Sequence, residues 1–279
     1  MASRGTMGYV SGSAVQSVYA EVYGTATGGT SLATPPTGYS GMSFTSDGTL
    51  TVTKAGLFDI LMFGGGAGGH TNAASAGGGG GSGGILSQTI YLAATTYAVV
   101  IGAGSPQTDF AVPTPAGSTS LGTIPNAVTA AGGIGVGNSG GASFGKIAGG
   151  QGTTAVGSTN TVNNSQGFKG GTASTNTGGG GGGTTVAGGN GASTTGGAGG
   201  AGYDVSVFIG GSALYKGSGG GGAGTVTGGA AGSSLSNQGG SAGAGGTPAA
   251  NTGAGGGGGS NNAAGGAGGS GIFYIRFKV

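Results

Sequence analysis

The chain has 279 residues, of which 81 are glycine, 7 are Lys or Arg and 5 are Asp or Glu. Its net charge of +2 supplies neither the positive field that holds nucleic acid nor a polybasic patch for a membrane surface, so neither partner is expected. Without cysteine there are no disulfides or thiolate metal sites, and no run of about 18 apolar residues is present to span a bilayer.

Taken in chain order, MASRGTMGYVSG (1–12) lacks the apolar stretch of a secretion signal. Val15, Val18, Tyr19, Val22 and Tyr23 are spaced as on an amphipathic helix, yet the alternation Val18, Ala20, Val22 equally permits a strand. TLTVT (49–53) and LFDILMF (57–63) read as strands joined in a hairpin-like way over Lys54-Ala55-Gly56. ILSQTIYL (85–92), TYAVVI (96–101) and YDVSVFI (203–209) read as further strands. In the terminal IFYIRFKV (272–279), Phe273, Ile275, Phe277 and Val279 share one face and Tyr274, Arg276 and Lys278 the other, which predicts a strand with one dry face.

Between these segments lie glycine tracts, among them 64–69, 77–84, 178–183, 196–202, 217–224, 239–246, 253–259 and 265–271. Glycine is the costliest residue to order, so a flexible linker array is one reading. Runs of five and six glycines fill every frame of a Gly-X-Y triplet, which argues against a collagen helix. The alternative is a bundle of extended polyglycine II helices with three residues per turn and roughly 3.1 Å rise, in which each N–H finds a carbonyl on a neighbour. The terminal apolar strand and the turn-forming Asn, Thr and Ser between tracts favour the bundle, with Ala, Ser and Thr expected on its outer faces or at its tips. The expected fold class is all-β: short antiparallel strands, sandwich-like, combined with a packed polyglycine II bundle.

Four stretches, TLTVTKAGLFDILMFGGGAGG (49–69), TYAVVIGAG (96–104), GGASFGKIAGGQG (140–152) and GGAGGSGIFYIRFKV (265–279), resemble the glycine-rich domain of bacteriophage tail proteins, found in minor tail proteins, tail-fibre tips and adhesins. The resemblance covers roughly 42–279 and implies layers of polyglycine helices whose connecting loops touch the bacterial surface. It leaves 1–41 as a segment for attachment to other virion tail proteins. It also implies a homo-oligomer, with a trimer as first expectation, located in the virion tail and assembled in the host cytoplasm.

Chemistry is sparse. GGASFGKI (140–147) comes close to a phosphate-binding loop, but Ile147 stands where a Ser or Thr hydroxyl must reach Mg²⁺, and no helix follows. GIGVG (133–137) is weaker still. His70 is the one histidine, and the acids Glu21, Asp47, Asp59, Asp109 and Asp204 are scattered, so no metal, cofactor or catalytic residue is expected. Asp59, inside an apolar strand, is expected to be hydrogen-bonded or solvent-facing. Asn163-Asn164-Ser165 fits a glycosylation sequon, which carries no meaning in a phage protein. Recognition is therefore expected from larger side chains in the connecting segments 105–117, 159–170 and 212–217. The candidates for binding a bacterial surface glycan or protein are Phe110, Asn163, Asn164, Phe168, Lys169, Tyr215 and Lys216. A purely architectural virion subunit, such as a head decoration or tail collar, and an ice-binding protein are the rival readings.

Overall fold

The computed structural model describes residues 23–71, 76–109, 115–123, 127–133, 167–174, 176–234 and 243–279. The undecided segment 15–22, the near phosphate loop at 140–147 and most of 133–137 lie outside these residues.

Two five-stranded antiparallel sheets face each other. One has the order β2 (Thr30–Ser31), β3 (Tyr39–Phe44), β14 (Ile272–Lys278), β5 (Gly56–Phe63), β7 (Ile85–Leu92). The other has the order β1 (Thr25–Thr27), β4 (Gly48–Lys54), β8 (Thr96–Val100), β10 (Thr119–Leu121), β11 (Val128–Ala130). Two short pairs lie outside the sheets: β6 (His70–Thr71) runs parallel to β9 (Thr108–Asp109), and β12 (Tyr203–Asp204) antiparallel to β13 (Tyr215–Lys216).

Alternation along the strands builds the core. Phe58, Ile60 and Met62 of β5 and Phe273, Ile275 and Phe277 of β14 point toward Leu50, Val52, Val99 and Leu121 of the opposite sheet. The rings of Phe44 and Phe273 stack, and Phe58 meets Phe277 edge-on, both with centroids 5.6 Å apart. Each such side chain contributes roughly 1.5 to 3 kcal/mol on burial.

Three expectations from the sequence fail in this half. The hairpin over 54–56 does not form, because the chain crosses from one sheet to the other at Ala55. Crossing gives each strand two neighbours: β4 lies between β1 and β8, and β5 between β14 and β7. The terminal strand is dry on both faces over its first half, where Ile272 and Tyr274 are buried with Leu61 and Phe63 beneath Val205 and Phe208, while Arg276 and Lys278 further along that face reach solvent and Val279 is 80 % exposed. The covering segment 203–209 is not a single strand. Its Asp204 carboxylate accepts the backbone N–H groups of Ser206 and Leu214, both at 3.0 Å, and this turn starts a single helical turn, α1 (Ser206–Ile209). The same hydrogen bonds hold the Asp204 carboxyl below its ordinary value.

Thr25–Thr27, Thr30–Ser31 and the start of β3 are strands of the two sheets, and the expected boundary between 41 and 42 falls inside β3, where Gly41 pairs with Arg276. Antiparallel strands dominate the described residues, and helix is almost absent from them.

From the ends of β5 and β14 the glycine tracts extend in a body bonded through backbone. Their hydrogen bonds advance by three residues. Along 64–70, the N–H groups of Gly64, Ala67 and His70 donate to the carbonyls of Gly84, Gly81 and Gly78. Gly77, Gly80 and Gly83 donate to Gly259, Gly256 and Gly253, while Gly79 and Ser82 donate to Gly179 and Gly182. The step of three means that successive residues of one tract face different neighbours. The run 178–183 accordingly bonds to segments 79–82, 168–171, 186–189, 197–200 and 220–223.

Space, rather than backbone conformation, demands glycine here: none of 178–183 has a left-handed φ. A Cβ on Gly181 would fall on the carbonyl oxygen of Gly80, and one on Gly180 on that of Ala198. Each Cα–H thus points at a neighbour's carbonyl, an additional weak attraction. The expected outward placement of small side chains is half right. Ala198 and Ala230 are exposed, but Ala67, Ser82 and Ala254 are fully buried, at positions where the neighbouring tract leaves room on the Cβ side.

Candidate functional site: the ends of the glycine tracts

Because the tracts shuttle back and forth, their turns gather at two ends. Near the sheets, Gly64 bonds to Gly84, Gly83 to Gly253, Thr184 to Gly217 and Gly217 to Thr252. At the far end a continuous chain of backbone bonds joins His70, Gly259, Gly77, Ala223 and Gly178, and Gly196 bonds to Thr227.

The far end carries short polar turns. Ser174 pairs with Thr177, Ala192 with Thr195, Thr195 with Thr227 and Ala76 with Ser260. Backbone N–H groups of Val226 and Thr227 both donate to the carbonyl of Thr194 at 3.1 and 3.3 Å, which ties two of the turns side by side. Ser193, Thr194, Thr225, Val226, Asn261 and Asn262 are exposed, Val226 to 67 %. Ser193, Asn261 and Asn262 hold φ values of 44°, 53° and 62°, a left-handed region that Asn tolerates better than most side chains. These turns present hydroxyls, amides and one isolated apolar side chain on a base held by its own amides.

The sequence-predicted binding residues lie elsewhere. Phe168 is 47 % exposed and its N–H donates to Gly183, whose own N–H donates to Val186. Lys169 is exposed beside it, its carbonyl accepting from Gly188. Tyr215, 40 % exposed, and Lys216 form β13 close by, since Thr184 bonds to Gly217. All four are therefore at the end near the sheets. Lys216 is buried rather than presented: its Nζ donates to the carbonyl of Asn251 at 2.8 Å, and desolvation pushes its pKa below 10.5. Phe110, Asn163 and Asn164, with the sequon that contains the last two, fall outside the described residues. The far turns escaped sequence reasoning because they hold no aromatic or charged residue. Their only signal was the placement of Ser-Thr and Asn-Asn between glycine runs.

Among the described residues, no three His, Asp or Glu side chains come together, and no helix is long and apolar enough to cross a membrane. His70 is buried at the far end, where its backbone bonds to Gly78 and Gly259. Asp59, as expected, is hydrogen-bonded: it accepts Thr89 Oγ1 at 2.7 Å and Arg276 Nε at 3.2 Å.

A family model described as a glycine-rich domain matches residues 43–278. The chain belongs to this glycine-rich domain family. No curated protein matches the chain.

Proposed function

We propose that the glycine tracts form a polyglycine II bundle and that the protein is a non-enzymatic virion component of a tailed phage, at the tail tip or on a fibre, which adheres to the host surface. The observation that carries this reading is the gathering of the polar turns at the end farthest from the sandwich. Hydrogen bonds that advance by three residues support the bundle, since three residues complete one turn of such a helix. Six residues at a rise of roughly 3.1 Å hold the turns roughly 19 Å from the sheets. Recognition falls to the far turns around Thr194, Val226 and Asn261, with Phe168, Lys169 and Tyr215 as a second, lateral surface.

Each turn offers few contacts, so adhesion depends on several copies in one assembly acting together. Two kinds of partner follow from this: a bacterial surface glycan or protein at the far turns, and other tail proteins at the opposite end.

The test is retention of the fluorescently labelled intact protein on a panel of bacterial cells. Binding to one or more strains is expected, with a loss of about tenfold or more when Thr194, Val226 and Asn261 are changed together to Lys, Glu and Lys. Absence of binding to any strain, or binding unchanged in a folded triple variant, overturns the reading.

A further inference from the structure

Each sheet of the sandwich ends in two edge strands, and proteins blunt such edges with short strands, charges, proline or bulges. Three of the four edges here are short: β2 has two residues, and β1 and β11 have three each. The fourth, β7, has eight residues and none of the other devices. Its sequence ILSQTIYL (85–92) contains no charge and no proline, and its register against β5 runs unbroken from Ile85 to Leu92.

Two hydrogen bonds fix which backbone groups of β7 face outward. The N–H of Gly64 donates to the carbonyl of Gly84, a pair that continues the ladder beyond Phe63 and Ile85, so the even-numbered residues of the strand turn toward β5. At the other end the Leu57 carbonyl accepts the N–H of Gly24, beside the bridge of Tyr23 to Leu57 and away from β7, so Tyr91, opposite Leu57, turns its own backbone groups outward. Ser87, Thr89 and Tyr91 therefore direct N–H and C=O to the free side of the strand. Among the described residues nothing bonds to these groups.

The side chains of the same three residues are exposed on the outer face of the sheet, Tyr91 to 67 %. Thr89 stands midway between a large residue, Tyr91, and a small one, Ser87. Beside Ser87 the surface dips into a shallow depression bordered by Val207 and Tyr203.

We infer that β7 pairs with β7 of a second copy of this chain, antiparallel about a two-fold axis at Thr89, and joins the two first sheets into one continuous sheet. A head-to-tail contact needs a second long edge, and the described residues have none; only two-fold symmetry sets the long edge against itself. With Thr89 at the axis, Thr89 meets Thr89 of the second copy and Ser87 meets Tyr91 on either side, each pair exchanging both N–H···O bonds. The exposed ring at one end of the strand thereby lies over the small side chain and the depression at the other. On the core face Gln88 comes opposite Ile90, whose partly buried side chain packs against the core and gains cover. The strand brings no charge to the interface. This pairing is on the sandwich and does not rest on the adhesive role of the far turns.

Sedimentation equilibrium of the full chain tests it. A mass twice that of the 25.0 kDa chain is expected at about 100 μM. Changing Ser87 and Tyr91 together to Lys sets like charges opposite each other and weakens the dimer about tenfold or more, and changing both to Glu does the same. Equal amounts of the two double variants, once mixed, recover a dimer, because each Lys then faces a Glu. Should either double variant fail to fold, Ser87→Pro, which deletes an outward N–H at an edge position, is expected to give the same weakening. A monomer at that concentration, which leaves the edge to a strand of another protein, overturns the inference; so does a trimer, a folded Lys variant that dimerises as the wild type does, or a mixture that does not recover. The triple variant of the far turns stays dimeric, and a monomer that still binds cells overturns this pairing alone.

Discussion

The two halves of this molecule solve the same problem with opposite means. In the sandwich, side chains such as Phe58, Ile275 and Leu50 are buried completely, and backbone hydrogen bonds run only between neighbours in one sheet. In the glycine half there is little side chain to bury. Backbone N–H groups bond in several directions around each tract, as along 178–183. A sheet strand uses one plane for hydrogen bonds and leaves two faces for packing; a tract with three residues per step spends every direction on hydrogen bonds and on the close approach of neighbouring backbones. The first arrangement tolerates many apolar sequences, whereas the second tolerates almost nothing but glycine wherever two backbones meet.

The largest test sets one substitution in each half against the other. Phe58→Ala removes bulk from the fully buried core and is expected to cost about 3 to 5 kcal/mol. Gly181→Ala adds a single methyl, yet places it on the carbonyl oxygen of Gly80, and the tract must move away from its neighbours; a cost of at least about 3 kcal/mol is expected. Denaturant unfolding measures both. Hydrogen exchange then separates them: Gly181→Ala raises exchange in 178–184 and its bonded partners ahead of β5 and β14. Tolerance of the added methyl, with Tm unchanged, would break the comparison.

A smaller effect comes from pH. Tyr274 sits on the outer face of β14, 4 % exposed beside Leu61 and Val205, and burial pushes its pKa up to about 12. Below pH 10 the phenol is neutral in both states and its stabilising contribution is complete. Between pH 10 and about 12 only the unfolded chain ionises, so stability falls as pH rises, by about 2 to 3 kcal/mol in full. The run 178–183 carries no titratable side chain, so alkaline loss of structure should begin in the sandwich. Tyr274→Phe should move the midpoint of the alkaline transition, followed by circular dichroism, upward; an unchanged midpoint would assign the loss to another group.

The strands were legible because alternation reports burial directly: Phe273, Ile275 and Phe277 announce a buried face in any sheet. What lies on the other face was not legible, since it depends on 203–209 folding back over the sheet from more than sixty residues away in sequence. The crossing at Ala55 was equally hidden. A tight connection between two apolar strands looks alike whether they pair with each other or across two sheets. In the glycine half the sequence carried composition but no register, because identical residues give no sign of which tract borders which. That is why Phe168 and Tyr215, conspicuous as aromatics, drew attention, while the plain turns at 193–195, 225–227 and 261–262 did not.

The finest contrast joins two consecutive residues of one tract. Ser82 is fully buried and its N–H bonds to Gly182 at 2.9 Å, but among the described residues its hydroxyl has no partner. Its Cβ already has room, so Ser82→Ala removes an unsatisfied buried polar group without disturbing the packing, and a gain of about 1 kcal/mol is expected. At Gly83 a Cβ would fall on the carbonyl oxygen of Gly64, so Gly83→Ala, ending at the same alanine, must destabilise. Denaturant midpoints of the two variants should move in opposite directions from the wild type. If both move downward, the room beside Ser82 is filled by something its hydroxyl needs; if neither moves, close approach between backbones is not what fixes the sequence of the tracts.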